Sequence, residues 1–245
     1  MSLESLKSIA RIPKRYWSRF NTQYLAPRGL GSWRPLVPVD TFTVSVSEAV
    51  DKLLERESPE ALGDYLEFGV SRGTSLSCVY REFRSRKIDH VRMFGFDSFE
   101  GMPEESADEG WTPGAYRSTL SATRAYMASQ GVKFDGVELI KGWFDDTATP
   151  ETRERLGVTK VSLVDYDCDT YSATKVALAF SLPLIHDQAV AIFDDWGARS
   201  ERNMIGQREA FQEDIAEPGE FTYEPLRAYN ANSRVFLLTR VKPSA

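Results

Sequence analysis

The stretch KVSLVDYD, residues 160–167, continuing as CDTYSATK to Lys175, decides the fold. It opens as a short apolar run and closes with acids on alternate positions, Asp165, Asp167 and Asp169. A short apolar run of this kind suits a strand buried on both faces, as in a parallel sheet covered by helices. A helix is predicted to follow, to about residue 181. Acids at the carboxyl end of a buried strand lie where open parallel sheets bind ligands.

The same alternation extends in both directions. DYLEFGV (64–70) reads as a strand, then a glycine turn and a helix through about residue 86. VRMFGFD (91–97) reads as a strand, residues 118–130 as a helix closed by Gly131, and VELIKGWF (137–144) as a strand. AVAIFDDW (189–196) is a further strand, with a helix over roughly 200–214 and a closing hairpin from FTYEPL and SRVFLLTRV. Upstream, Ser45-Val-Ser-Glu48 is a capping-box pattern that predicts a helix start near residue 45. Residues 1–40 read as a helix or two and a loop punctuated by Pro27, Gly29, Gly31, Pro35 and Pro38. The expectation is an α/β fold: seven strands, six parallel and one antiparallel, with helices on both faces. An N-terminal basic arm (1–44) precedes the main domain (45–245).

Composition narrows the function. A chain of 245 residues, 42% of them hydrophobic, can bury a real core. The two cysteines, Cys78 and Cys168, form no metal or redox pair, so a reduced cytoplasmic setting is expected. Two histidines, His90 and His186, argue against His-rich zinc sites and Ser-His-Asp chemistry. No membrane-length apolar run and no secretory signal is present. Residues 1–36 carry +6 and the remainder −12. The arm is read as packing on the acidic body or on a second subunit, with a homodimer or higher homo-oligomer expected; a transit peptide or an anion-binding arm are the alternatives. An acidic body does not suit nucleic acid.

The strand exits carry the chemistry. The first is Glu67-Phe-Gly69-Val-Ser-Arg-Gly73, a turn that lets a ligand approach backbone. The second ends at Asp97, where nucleoside binders hold a ribose. The third ends in Trp143-Phe-Asp145-Asp146, the fourth at Asp167, the fifth at Asp194 and Asp195. Carboxylates converging above neighbouring strands cost several kcal/mol in repulsion and desolvation unless a cation sits among them. Oxygen-only ligands select Mg²⁺, Mn²⁺ or Ca²⁺. Asp194 and Asp195 can share one ion only if the chain turns there. Asp169 competes with Thr170 and Ser172 to cap the next helix, and Asp165 is a candidate for a salt bridge.

LEFGVSRGTS, FGFDSFEGMPE, KGWFDDT, VDYDCDTYSATK and AIFDDW, in this order, resemble the macrocin O-methyltransferase (TylF-type) family over roughly residues 60–215. The resemblance implies a Rossmann-like class I methyltransferase fold, S-adenosylmethionine as cofactor, Mg²⁺ (or Mn²⁺) dependence, and methylation of a hydroxyl on a small molecule, often a natural-product sugar. By position, Glu67, Gly69 and Gly73 would shape the methionine pocket, and Asp97 would hold the ribose with Ser98 beside it. Trp143 and Asp145 would lie near the adenine. Asp167, Asp194 and Asp195 would bind the metal, with Asp167 the candidate general base. Cys168 stands where the family usually has glycine, and His186-Asp-Gln-Ala189 replaces a Gly-rich turn; the arm 1–44 matches little of the family pattern, and arms of this kind imply contacts to a second subunit and to the acceptor pocket.

The long loop 101–118 is expected to form a lid over the acceptor, with Trp111 and Tyr116 touching it. Three rivals remain open at this level. Asp167-Cys-Asp169 is also the DxD of metal-dependent nucleotide-sugar glycosyltransferases. Tyr171 and Lys175 have a spacing found in a nicotinamide oxidoreductase family, though the GxGxxG is missing. A non-catalytic cofactor-binding relative is the third.

Overall fold

The computed structural model describes residues 20–198 and 204–242; most of the basic arm and the start of the helix expected near residue 200 lie outside that range. Five parallel β-strands and a C-terminal hairpin make one seven-stranded sheet in the order β3-β2-β1-β4-β5-β7-β6. The strands are β1 (Asp64–Phe68), β2 (Met93–Asp97), β3 (Val137–Lys141), β4 (Val161–Tyr166), β5 (Gln188–Phe193), β6 (Phe221–Leu226) and β7 (Arg234–Arg240). β7 runs antiparallel to both β5 and β6, so it alone is reversed. The predicted seven-stranded sheet with one antiparallel strand is therefore present.

Helices cover both faces because every central strand is apolar on both. Tyr65, Leu163, Val190 and Ile192 face α1 (Val39–Leu54), α2 (Thr74–Ser85) and α3 (Leu120–Ser129). Leu66, Phe68, Val164 and Phe193 face the other layer. After the four-residue α4 (Phe144–Thr147), that layer holds α5 (Pro150–Leu156), α6 (Tyr171–Ser181) and α7 (Gln207–Phe211). The Phe68 ring stacks on Phe96 at 5.0 Å and on Tyr166 at 6.0 Å, knitting three adjacent strands together.

Three sequence expectations need correction. α1 starts at Val39, with Pro38 extended at its N-cap and Asp40 in its first turn. Phe42, Val46, Ala49, Val50 and Leu53 make its buried stripe, so the residues 39–44 assigned to the arm belong to the helix. Ser45 caps nothing; it is buried, and its Oγ donates to Arg227 O. The helix expected over 200–214 is α7, prolonged by a π-turn, Gln212–Ala216. The two short helices α4 and α5 after β3 went unseen in the sequence because each is too brief to show a period. Among the described residues no helix is long and apolar enough to cross a membrane.

Candidate active site

A cleft of about 880 Å³ opens beyond the carboxyl ends of β1, β2, β4 and β5. Of the residues singled out in the sequence, Gly69, Asp97, Ser98, Trp143, Asp145, Asp167, Asp194 and Asp195 line it. Glu67 and Gly73 do not. Glu67 is fully buried behind the turn, where it accepts from Ser75 Oγ (2.9 Å) and Tyr65 OH (2.5 Å). Gly73 faces α3, and a Cβ there would lie 2.6 Å from the Met127 side chain. Both shape the turn from behind rather than from the cleft.

The turn is built by close contact with β4. Gly69 has φ +96°, and a Cβ on it would sit 1.6 Å from Asp167 O. No residue but glycine fits there. Asp97 then staples the turn to β2: its Oδ2 accepts from the N–H groups of Val70 (2.9 Å) and Ser71 (2.7 Å), and its Oδ1 from that of Phe99. Burial raises the Asp97 pKa, and these three bonds oppose the rise. Oδ2 thereby fills both of its lone-pair sites, and Oδ1 keeps one for a ligand hydroxyl. Ser98 spends its hydroxyl locally, donating to Gly101 O (3.0 Å) and accepting from Glu100 N–H (3.1 Å). Trp143 stands 38% exposed at the mouth, and Asp145 occupies the first turn of α4.

Asp167, Asp194 and Asp195 each bring a carboxylate oxygen within 4.8 Å of the others. Burial, then the neighbouring acids, pushes up the pKa of Asp167 and of Asp195; burial raises Asp194. The turn required for Asp194 and Asp195 to face one cleft exists, and Gln207 holds it. The Gln207 side chain is wholly buried; its Oε1 accepts from Asp195 N–H (2.9 Å) and its Nε2 donates to Tyr166 O (2.8 Å). Asp169 also lines the cleft, at φ +62°, and donates its N–H to Asp195 Oδ2 (3.1 Å). Burial and then Asp194 push its carboxyl up to about 7.

Of the three rivals for the cap of α6, Thr170 takes it, accepting from Ala173 N–H at 3.1 Å, and Asp169 does not. Asp165 makes no salt bridge among the described residues: it is 1% exposed, and its Oδ1 has no hydrogen-bond partner. Its neighbour across the strands is Glu67 rather than a cation.

Four lining residues were not singled out individually, although the arm and the long loop that carry them were expected at the acceptor: Leu36 and Val37, from the end of the arm, and Met102 and Pro103, from the long loop, form an apolar wall. Tyr116 lines the cleft as expected, but Trp111 does not and instead packs edge-on against Tyr116 at 6.4 Å. The loop reaches across to α6, where Glu109 accepts from the N–H groups of Tyr171 (2.7 Å) and Ser172 (3.2 Å). Tyr171 and Lys175 point away from the cleft: Tyr171 OH donates to Glu213 (2.6 Å), and Lys175 pairs with Glu213 and Asp214. That removes the geometric basis of the oxidoreductase reading.

The chain is 30% identical over 152 residues to 8-demethyl-8-(2,3-dimethoxy-alpha-L-rhamnosyl)-tetracenomycin-C 4'-O-methyltransferase of Streptomyces olivaceus, covering 58% of this chain and 56% of that protein. It is 26% identical over 147 residues to mycinamicin III 3''-O-methyltransferase of Micromonospora griseorubida, covering 55% of each. The chain thus spans about half the length of the curated relatives it matches. Among solved structures, the O-methyltransferase NovP superposes with a TM-score of 0.66 at 17% identity, covering 82% of this chain and 80% of that one. The calicheamicin methyltransferase CalS11 gives 0.64 at 17%, covering 97% and 89%. These likenesses show the fold, a Rossmann-like class I methyltransferase sheet. The model of the macrocin-O-methyltransferase (TylF) family matches residues 44–218, and the chain belongs to that family.

Proposed function

We propose that this chain is an S-adenosylmethionine-dependent O-methyltransferase. It would use Mg²⁺ or Mn²⁺ and act on a hydroxyl of a small molecule, a sugar or phenolic group of a natural product. One observation carries the reading: three carboxylate oxygens gather within 4.8 Å on the floor of the cleft whose rim is the Gly69–Asp97 turn. The donor set is all oxygen and part-buried, which fits a hard dication, and a dication would relieve the repulsion among the three acids. The names of the two sequence relatives, both methylating natural-product glycosides, favour a sugar hydroxyl.

The residues divide the work. Asp97 would hold the ribose hydroxyls, with the Ser98 turn beside it, while Trp143 and Asp145 border the adenine end. Gly69 leaves room for the methionine part. Asp167, Asp194 and Asp195 would hold the cation. The cofactor supplies a methyl group already activated on a sulfonium, and a bound dication supplies Lewis acidity that lowers the pKa of a hydroxyl ligand. What remains for the protein is alignment and proton removal. Alignment can supply on the order of 7–11 kcal/mol. Asp167 is the candidate base, because it lies among the carboxylates that would hold the cation and the hydroxyl bound to it.

The acceptor would lie against Leu36, Val37, Met102 and Pro103, an apolar wall suited to a deoxysugar or an aglycone face. Loop 101–118 would act as the lid, anchored at its far side by Glu109. Phe20, Tyr24 and Leu30, all exposed on the arm, suit a homodimer contact, and the two free buried thiols suit a reducing cytoplasm. The test is incubation with cofactor, Mg²⁺ and glycosylated or phenolic acceptors, read by mass spectrometry for a gain of one methyl group. Loss of product on chelation and its return with Mg²⁺ is expected. Binding of UDP-sugars in place of S-adenosylhomocysteine would overturn the assignment in favour of glycosyl transfer.

A further inference from the structure

Tyr229 enters the acidic site from the far end of the chain. It lies in the loop between β6 and β7, is 6% exposed, and its phenol donates to Asp194 Oδ1. The ring is held edge-on by Phe42 of α1, with centroids 4.9 Å apart at 80°. The loop around it is tightly self-bonded. The N–H groups of Tyr229 and Asn230 both donate to Ser233 Oγ at 3.2 Å, and those of Asn232 and Ser233 both donate to Asn230 Oδ1 at 2.7 Å. Gly197 N–H donates to Asn232 O at 2.9 Å, tying this loop to the turn that carries Asp194 and Asp195.

We propose that Tyr229 is a positioning residue: its phenol fixes the Asp194 carboxylate and thereby sets the affinity of the site for a divalent cation. This inference rests on the metal reading above. Three mutually repelling carboxylates favour rotating apart. A lysine or arginine could hold Asp194, but its charge would compete with the cation for the same oxygens. A neutral O–H donor orients the carboxylate without competing. Because the ring and loop are fixed from behind, the phenol cannot follow a moving acid; the acid is held where the phenol stands.

The test is an Mn²⁺ titration followed by electron paramagnetic resonance, on chelator-stripped wild type, Tyr229→Phe, Ser233→Ala and Asp194→Asn. Tyr229→Phe keeps the ring on Phe42 and is expected to weaken Mn²⁺ binding on the order of 10–100-fold while the Kd for S-adenosylhomocysteine is unchanged. Ser233→Ala loosens the loop without touching an acid and moves the Mn²⁺ Kd the same way by a smaller factor. Unchanged Mn²⁺ affinity in both variants, with or without a lower melting temperature, marks a purely structural tyrosine and overturns the proposal. Wild type that binds no Mn²⁺, indistinguishable from Asp194→Asn, overturns the metal reading itself and the proposal with it.

Discussion

Glu67 of β1 and Asp165 of β4 occupy paired positions on neighbouring parallel strands, both buried, and neither makes a salt bridge among the described residues. Burial raises both pKa values, and the Glu67 charge raises that of Asp165 further. Two carboxyls so placed cannot both ionise cheaply. They form the inner end of the acidic column whose outer end is Asp167, Asp194 and Asp195.

Stability is therefore expected to fall with rising pH. Glu67 is pushed by burial from an ordinary 4.5 up to about 8. Between those values the unfolded chain releases a proton that the folded chain keeps, so folding weakens across the window and levels off above it. Melting temperatures of the chelated protein should drop from pH 5 to pH 8, and Glu67→Gln should flatten the curve. Parallel curves for the two proteins would show that Glu67 is not the group responsible.

Asp167→Asn should lose on the order of 10²–10⁴ in methyl transfer if Asp167 is the base. Binding of S-adenosylhomocysteine should persist, because the Asp97 turn is untouched. Activity and calorimetric affinity measured on the same preparation check this, and full activity in the variant would refute the assignment.

Mn²⁺ should stabilise the wild type. A ligand at about 100 times its Kd adds about 2.7 kcal/mol. The rise in melting temperature should vanish in Asp195→Asn and on adding chelator. An equal rise in the variant would place the ion elsewhere.

Glu109→Ala should free the long loop from α6. Loss of a capping carboxylate costs about 0.5–2 kcal/mol. The amides of Tyr171 and Ser172 should then exchange faster with deuterated solvent than in wild type. Unchanged exchange at these two positions would mean that the loop is held by its other contacts.

Gly69→Ala should be among the most damaging single changes in the cleft. Its Cβ would meet Asp167 O at 1.6 Å, at a positive φ. Overpacking against backbone costs about 1–3 kcal/mol, and more where the backbone cannot shift. Chemical denaturation should show the loss, together with weaker cofactor binding.

Much of the frame was legible because it is written in local periods. Short apolar strands alternating with helices, as in KVSLVDYD, specify a parallel sheet, and a parallel sheet specifies that ligands lie at its carboxyl ends. Where the local pattern was ambiguous it misled: Ser45-Val-Ser-Glu48 has the form of a cap, yet Ser45 points into the core toward Arg227. Trp111, expected to touch the acceptor, backs Tyr116 instead of lining the cleft.

From its residue order alone the chain determined the strands, their handed alternation with helices, and the presence of an acid at the exits of β2, β4 and β5. It also named Asp167, Asp194 and Asp195 as acids that would converge; only the tertiary structure decided what holds them and which other groups they meet. Strand order brings Glu67 beside Asp165, the Gln207 clamp turns Asp194 and Asp195 into one cleft, and Tyr229 arrives from the final hairpin to hold Asp194. The physical reason is range: a strand's pattern depends on neighbours one or two residues away, whereas the electrostatics of the site depend on groups far apart in the chain that only packing brings together.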